Sequence, residues 1–396
     1  MPALYKAVAQ RYDPTPRALQ LFATFREMVN DCLRLVAQKP GVPTYEGVKS
    51  ICYPRMLDYP IHNGYRVSAM FEATNLVKKY QTDSKRGTRS RPQCRRPFLK
   101  VSIGVSLQGG ALTVPEVGVI KLTAHSMQIL SQQGVKVKSV TLTPTNCSVL
   151  YNYLVEPMLP SGAVGIDMNL DNLTTFDTDG LSRFYDLREL TAIHETYRRV
   201  KSHFRRDDFR IKRRVFRKYS SIERNKRSAI LHEISTSVVN EAASKRHAVV
   251  MEDLRGIRDM FRKRSGSSST YLSKMNSWPY ATLQRLIAYK LAWRGLPIRF
   301  VPPEGTSSQC ADCSGAMWEA PGDERLMVCR ECGKVTDRDL NAARNILKRG
   351  LRSGLGGTAG EALKAPKLSQ GSPMPEQMQG IHHVETDDLV EGSKHS

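Results

Sequence analysis

The spacing of apolar positions changes several times along this chain, and each change marks a different kind of element. Residues 5–12 alternate well enough to predict a short strand, broken by Pro14 and Pro16. From 15 to 36 the period becomes helical. Leu19, Phe22, Met28, Val29, Cys32, Leu33 and Val36 recur at three- and four-residue steps, and Pro40 and Pro43 end the run. Two more helical patterns follow, at 45–57 and 67–80. In the second, Val67, Met70, Phe71, Leu76, Val77 and Tyr80 form one expected apolar face, and the plain reading of such stripes is helix-bundle core. The period then falls to two. FLKVSIGVSL, ALTVPEVGVIKL and VKSVTLTPTNCSVLYNYLV are rich in β-branched residues and separated by Gly-Gly or Gln-Gln-Gly turns. They predict a small antiparallel barrel or sheet, with 5–12 as its first strand and the helical block inserted between.

A second regime opens at Gly162. AVGIDMNLDNLTTFDTDG reads as an apolar strand ending in Asp167, a turn, and a second strand running to a turn at Asp179-Gly180. A long helical region is expected over 187–244. Residues 247–251 form a short apolar strand with Glu252-Asp253 at its end. The SGSSST stretch is expected to be flexible. SWPYATLQRLIAYKLAWRG predicts a helix with Ser277 as its cap and Gly295 at its close. LPIRFVPP predicts a strand, and DRDLNAARNIL predicts an acidic turn feeding a last helix. Beyond Gly350 the chain lacks periodicity, and a disordered tail is expected over 351–396.

Charge narrows the partners. Sixty Lys+Arg against 38 Asp+Glu give +22 at pH 7 over 396 residues. That excess points to a polyanion, most often nucleic acid, with a membrane surface as the weaker alternative. Between Arg198 and Arg227 stand 14 Lys or Arg and three acids, with Phe204, Phe209, Ile211, Val215, Phe216 and Tyr219 interleaved. So dense a run of one sign favours a phosphate-binding surface over a solvated helical face. The polar, basic stretch 78–100 reads as a loop whose cations suit phosphates, with a solvated basic linker as the alternative. Candidate nucleic-acid contacts are Arg95, Arg96, Arg205, Arg206, Arg213, Arg214, Arg217 and Lys218. No apolar run is long enough to span a bilayer, and MPALYKAVAQRYDP lacks the apolar core of a signal peptide. Cys32, Cys52, Cys94 and Cys147 lack a disulfide spacing and are expected reduced, in a cytoplasmic, nucleoid-associated setting.

Two constellations carry chemistry. Cys310 and Cys313, then Cys329 and Cys332, follow the pattern C-x2-C, fifteen residues, C-x2-C. Four thiolates in two knuckles close a tetrahedral site with no open position, which predicts one structural Zn²⁺. The second constellation is acidic. Asp167 follows one apolar strand, Glu252 ends another, and Asp339 begins the last helix. Singly, these could be a turn former, an arginine partner and a helix cap. Together, the order strand-Asp, strand-Glu, helix-Asp is that of ribonuclease-H-like nucleases. Such a fold brings three carboxylates onto two Mg²⁺ ions about 3.5–4 Å apart. Asp337 competes with Asp339 for the third place. Two apart in a turn before a helix, they cannot both point the same way, and Asp339 is the choice.

GIDMNLDNLTTFDTDG, VVMEDLRGI, the TSSQC…CRECG ribbon and DRDLNAARNIL, taken as a set, resemble the TnpB proteins of bacterial and archaeal insertion sequences. These are the apparent ancestors of the miniature type V CRISPR effectors. The likeness covers 162–349, and the first half agrees in pattern alone. It implies a multidomain α+β chain: a β-barrel-like wedge (1–14 and 95–160), an inserted helical recognition domain (15–94), and a RuvC-like nuclease (161–305 and 334–350) carrying a zinc ribbon (306–333). It implies a monomeric RNA-guided DNA endonuclease that binds a guide RNA, reads a short motif beside a double-stranded target, and cuts both strands with one site. Asp167, Glu252 and Asp339 match the family triad, and Cys310, Cys313, Cys329 and Cys332 match its zinc ligands. Two positions depart from the family pattern. Asn169 stands where Gly is usual, and Ser314 follows the first knuckle where Gly is usual. A strand-transferring transposase, a small CRISPR effector and a non-cutting repressor are the competing readings.

Overall fold

The computed structural model describes residues 3–36, 44–84, 91–205, 207–255, 257, 273 and 275–354, the side chains of Asp83 and Glu324 excepted. Of the tail expected over 351–396, residues 351–354 are described and the last helix runs on to Arg352, because its periodic pattern continues past Gly350; residues from 355 on, the SGSSST stretch and Arg206 lie outside the described residues. The described chain forms two compact units, Ala3–Leu154 and residues 155–354.

In the first unit, β1 (Ala3–Arg11) is followed by α1 (Pro16–Val36), α2 (Tyr45–Met56) and α3 (Asn63–Ser84). Then come β2 (Leu99–Val101), β3 (Ser106–Gln108), β4 (Ala111–Val114), β5 (Gly118–Lys121), α4 (Ala124–Leu130), β6 (Lys136–Leu142) and β7 (Asn146–Leu154). The periodic residues of α1 from Phe22 to Val36 are buried, but Leu19 points outward. In α3 the buried face is Tyr65, Ala69, Met70, Ala73 and Val77, so Phe71, 49% exposed, does not belong to it. Small residues let that face approach its neighbours, which a count of large apolar residues alone does not reveal. Among the described residues the strands pair into two antiparallel sheets, β1-β7-β6-β2 and β3-β4-β5, with no ladder joining them into one closed barrel. The apolar pattern gave no sign of α4. Its start is marked instead by Thr123, whose hydroxyl accepts from the backbone N–H of Ser126.

The second unit is built on a five-stranded sheet. Its strands are β8 (Gly162–Met168), β9 (Asn172–Asp177), β10 (Ser182–Asp186), β11 (His247–Glu252) and β12 (Ile298–Val301), in the order β10-β9-β8-β11-β12. β8, β11 and β12 run parallel, while β9 and β10 return antiparallel. β10 is exposed along most of its length, so no apolar run announces it. The expected helical stretch over 187–244 is interrupted. α5 (Arg188–Ser202) ends before a break, Asp208 caps a fresh turn at Phe209–Ile211, and a π-helical stretch Lys212–Phe216 leads into α6 (Arg217–Ser244). Buried Glu223 on α6 accepts from Lys201 at 2.7 Å and contacts His194 at 2.8 Å, tying the two helices together. α7 (Tyr280–Ala292) begins after Pro279 without a side-chain cap. Ser277 is therefore not its cap, and its carbonyl accepts from the Arg227 guanidinium instead.

Strand alternation sorts the sheet's residues onto two faces. Val164, Ile166, Met168, Val249 and Met251 pack toward α6 and α7 in one core cluster. Ala163, Ala248, Val250 and Val301 pack in another against Ile346 and Leu347 of α8 (Arg338–Arg352). Between β12 and α8 lies the small sheet β13 (Met317–Ala320), β14 (Asp323–Cys329) and β15 (Val335–Asp337), all antiparallel.

Candidate active site

Asp167 shares a strand face with Ala163 and Gly165, so it looks toward α8. Gly165 is the close-approach point. A Cβ there would lie 2.3 Å from the Ala343 carbonyl oxygen and 2.6 Å from the Leu347 nitrogen. Absence of a side chain thus lets the helix backbone rest directly on β8. The parallel register of β8 and β11 pairs Ile166 with Met251, so the next residues along, Asp167 and Glu252, stand side by side at the strands' carboxyl ends. Glu252 is held by a 2.5 Å hydrogen bond from the Thr306 hydroxyl, and its backbone carbonyl accepts from Gln284 of α7 at 2.8 Å.

The two acids at the start of α8 divide as only one of them can cap. Asp337 is the N-cap, its Oδ1 accepting from the backbone N–H groups of Asp339 and Leu340 at 2.9 and 3.0 Å. Asp339 lies within the first turn, two residues after the cap, and its Oδ2 accepts from Asn172 Nδ2 at 2.7 Å. Asn172 Oδ1 accepts in turn from Asn169 Nδ2 at 3.2 Å, and the same Asn169 amide donates to Asp167 Oδ2 at 2.7 Å. Two amides, Asn169 and Asn172, therefore bridge two carboxylates.

Electrostatics record the crowding. Burial, reinforced by the charges of Glu252 and Asp339, pushes the Asp167 carboxyl up to about 8, against the Asn169 hydrogen bond and the Arg338 charge. Burial also raises Glu252, opposed by Thr306 and by the Arg349 guanidinium. Asp167 is buried while Glu252 and Asp339 are half-buried, and the three carboxylates do not all come within 4.8 Å of one another as the four cysteine sulfurs do; the charges of the other two at Asp167 favour a proton or a cation there. All their donor atoms are oxygens, the set that hard divalent ions such as Mg²⁺ prefer.

The four ribbon cysteines converge. Their sulfurs all lie within 4.8 Å of one another, with Cys310–Cys332 at 3.7 Å and Cys313–Cys329 at 3.4 Å. A tetrahedral Zn²⁺ with bonds near 2.3 Å wants sulfurs about 3.8 Å apart, so the four fit one ion. Backbone N–H groups of Asp312 and Gly315 donate to Cys310 and Cys313 sulfurs at 3.4 Å each. The ribbon is latched to α8 through asparagines. Asn341, fully buried, accepts from Ala311 N–H at 2.9 Å and donates to Gln309, while Asn345 donates to the Thr306 and Gln309 carbonyls. These two, with Asn172 and Thr306, carry the site geometry yet escaped the sequence reading. An Asn pair four apart on one helix face was the available signal.

A further acidic group, Asp177, Asp179 and His247, lies at the other end of the sheet. Lys245 already supplies its cation, 2.5 Å from Asp177 and 3.2 Å from Asp179. Of the candidate nucleic-acid contacts, Arg95 and Arg96 are exposed in the first unit, and Arg205, Arg213, Arg214, Arg217 and Lys218 are exposed in the second.

A TnpB-like protein of Methanocaldococcus jannaschii is 30% identical over 223 residues, which cover 54% of this chain and 78% of that protein. The chain belongs to the TnpB-like family. InsQ of Escherichia coli K12, a candidate RNA-guided DNA endonuclease, is 30% identical over 211 residues, 49% of this chain and 50% of InsQ. The match thus spans about half of InsQ. Residues 280–346 match the family described as Cas12f1-like, TNB domain. In fold, this TnpB-like chain is similar to the Cas12f1 chain of a Cas12f1–sgRNA–target DNA complex. The TM-score is 0.54 at 14% identity, over 83% of this chain and 81% of that one.

Proposed function

We propose that the protein is an RNA-guided DNA endonuclease of an insertion sequence, cutting target DNA beside a short adjacent motif, with Asp167, Glu252 and Asp339 as its metal-binding carboxylates. The observation that carries this reading is the placement of Asp167 and Glu252 side by side on parallel strands, with Asp339 brought to Asp167 through two amides. The sheet order, with two antiparallel strands on one flank and two parallel ones on the other, supports a ribonuclease-H-like, RuvC-type nuclease. InsQ and the Cas12f1 complex support the RNA-guided character by likeness.

Two Mg²⁺ ions, when bound, would supply activation of the attacking water and stabilisation of the leaving 3′ oxygen. The protein's own part is arrangement. Asn169 and Asn172 fix the approach of Asp167 to Asp339, and Thr306 orients Glu252. Asp337 caps α8, so Asp339 is left for the site. The burial that raises Asp167 keeps the pocket poor in bulk water, which strengthens every charge interaction inside it. The four cysteines hold one Zn²⁺ with no open position, a structural role that steadies the turn carrying Thr306. In this reading the first unit supplies the wedge and recognition domains, and the exposed arginines of the basic stretch hold the phosphates of guide RNA and target DNA. Base pairing reads the sequence, and the protein chiefly supplies cations.

Asp167→Ala is expected to abolish cleavage of a guide-matched duplex while retaining RNA and target binding. Undiminished cutting by that variant would remove the site assignment. A strand transferase of the same fold needs no RNA, so ribonuclease treatment of the purified protein separates the two: lost activity supports the RNA-guided reading. All three carboxylates are present, which speaks against the non-cutting repressor.

A further inference from the structure

At the edge of the five-stranded sheet, between β12 and the C-terminal turn of α8, lies an open groove of about 520 Å³. Three guanidinium groups line it, Arg299 from β12 and Arg349 and Arg352 from α8, and no carboxylate is among its lining residues. Arginines in a last helical turn often serve the helix's own carbonyls. That accounts for part of this cluster. Arg299 donates to the Ser353 carbonyl at 3.0 Å. Arg349 turns away from the helix end, donating to the Pro302 carbonyl at 2.8 Å and to Gln309 Oε1 at 3.4 Å. Arg352 is exposed at the groove's mouth.

The groove lies one strand away from Glu252. Val301, in its wall, is the register partner of Glu252 on β11. Pro302, which Arg349 holds, is the next residue, and Thr306 of the same turn bonds Glu252. The Arg349 charge is felt at Glu252 accordingly. A row of planar, permanently charged donors leading from a cluster of acids fits phosphates better than any other common anion, because guanidinium forks match phosphate oxygens in pairs. The carboxylates repel a polyanion, so the strand needs cations beside them to be held.

We propose that this groove binds the phosphodiester backbone of the nucleic-acid strand presented to the carboxylates, with Arg349 nearest Glu252 and Arg352 farthest out. The strand then enters or leaves the site over the β12 edge. This rests on the nuclease reading for the word "presented", but the binding itself is testable without cleavage.

The test uses the full chain carrying Asp167→Ala and a labelled single-stranded DNA oligonucleotide titrated over a range of salt. Arg352→Glu is expected to weaken binding several-fold and to flatten the slope of log Kd against log salt by about one, whereas Arg352→Lys retains the slope. Arginine-selective labelling with phenylglyoxal on the unsubstituted chain gives a second readout free of folding effects. The oligonucleotide should protect Arg299 and Arg352. Unchanged affinity and slope in Arg352→Glu, or equal labelling with and without DNA, overturns the groove. Cleavage by the parent and its loss in Asp167→Ala test the nuclease reading separately, so a groove failure leaves that reading standing.

Discussion

At Ser314 the backbone adopts φ 66°, and at the matching place after the second knuckle Gly333 adopts φ 70°. The same left-handed turn is thus made twice, once by a residue suited to it and once by one that is not. An L side chain there costs about 1–2 kcal/mol, which glycine avoids. Ser314→Gly is expected to stabilise the ribbon by about 1 kcal/mol, read as slower zinc loss to a chelating dye. Asn169 is the other departure, and here the substitution adds a contact. Asn169→Gly removes the donor to Asp167 and breaks the bridge to Asn172, so divalent-ion affinity should fall while the melting temperature changes little. Unaltered affinity in a calorimetric Mn²⁺ titration would show the bridge to be incidental. Both departures were visible in the sequence, but their opposite signs were not, because backbone φ and amide partners are set by the fold.

Protonation at Asp167 follows from the same crowding. Its carboxyl titrates near 8 in the folded chain, against about 3.9 when unfolded. Between those values the folded state holds a proton that the unfolded state has lost. Metal-free stability therefore falls as pH rises from about 4 to about 8, and is restored when a divalent ion replaces the proton. Thermal melts in Mg²⁺-free buffer should show the parent losing ground to Asp167→Asn between pH 5 and pH 8.

Among the elements, β8 and α8 decide whether the acids meet. Gly165 admits the helix backbone at van der Waals range, and Gly350 does the same near the other end, where a Cβ would lie 2.4 Å from Val250 Cγ2. Gly165→Ala is expected to lift α8 and lower stability by about 1–3 kcal/mol, with cleavage lost beyond what the unfolding accounts for. If Gly165→Ala melts and cuts like the parent, the close approach does not position Asp339. The apolar runs of β8 and β11 were legible because both faces are buried. β10 and α4 were not, since one is exposed and the other is short and starts on a cap. Which of Asp337 and Asp339 caps α8 was not legible in the sequence, because it turns on the hydrogen bonds that Asp337 accepts from the backbone of Asp339 and Leu340.

Across the whole molecule, the +22 charge and the four motif blocks pointed to nucleic acid and to the family, because composition and chain order survive without coordinates. The amide bridge, the asparagine latch and the arginine groove could not be read there, as each joins residues far apart in sequence. No helix among the described residues is long and apolar enough to cross a membrane. Removing zinc should loosen the Thr306 turn and so lower both cleavage and the melting temperature, with zinc analysis giving one ion per chain before treatment. Asp167, Glu252 and Asp339 are proposed to share divalent ions. Electron paramagnetic resonance of Mn²⁺ added to the purified protein tests it most directly. Two ions coupled to one another are expected in the parent, with the coupling gone in Asp167→Ala, Glu252→Gln and Asp339→Asn alike. A coupled pair that survives any one of these substitutions would contradict the account.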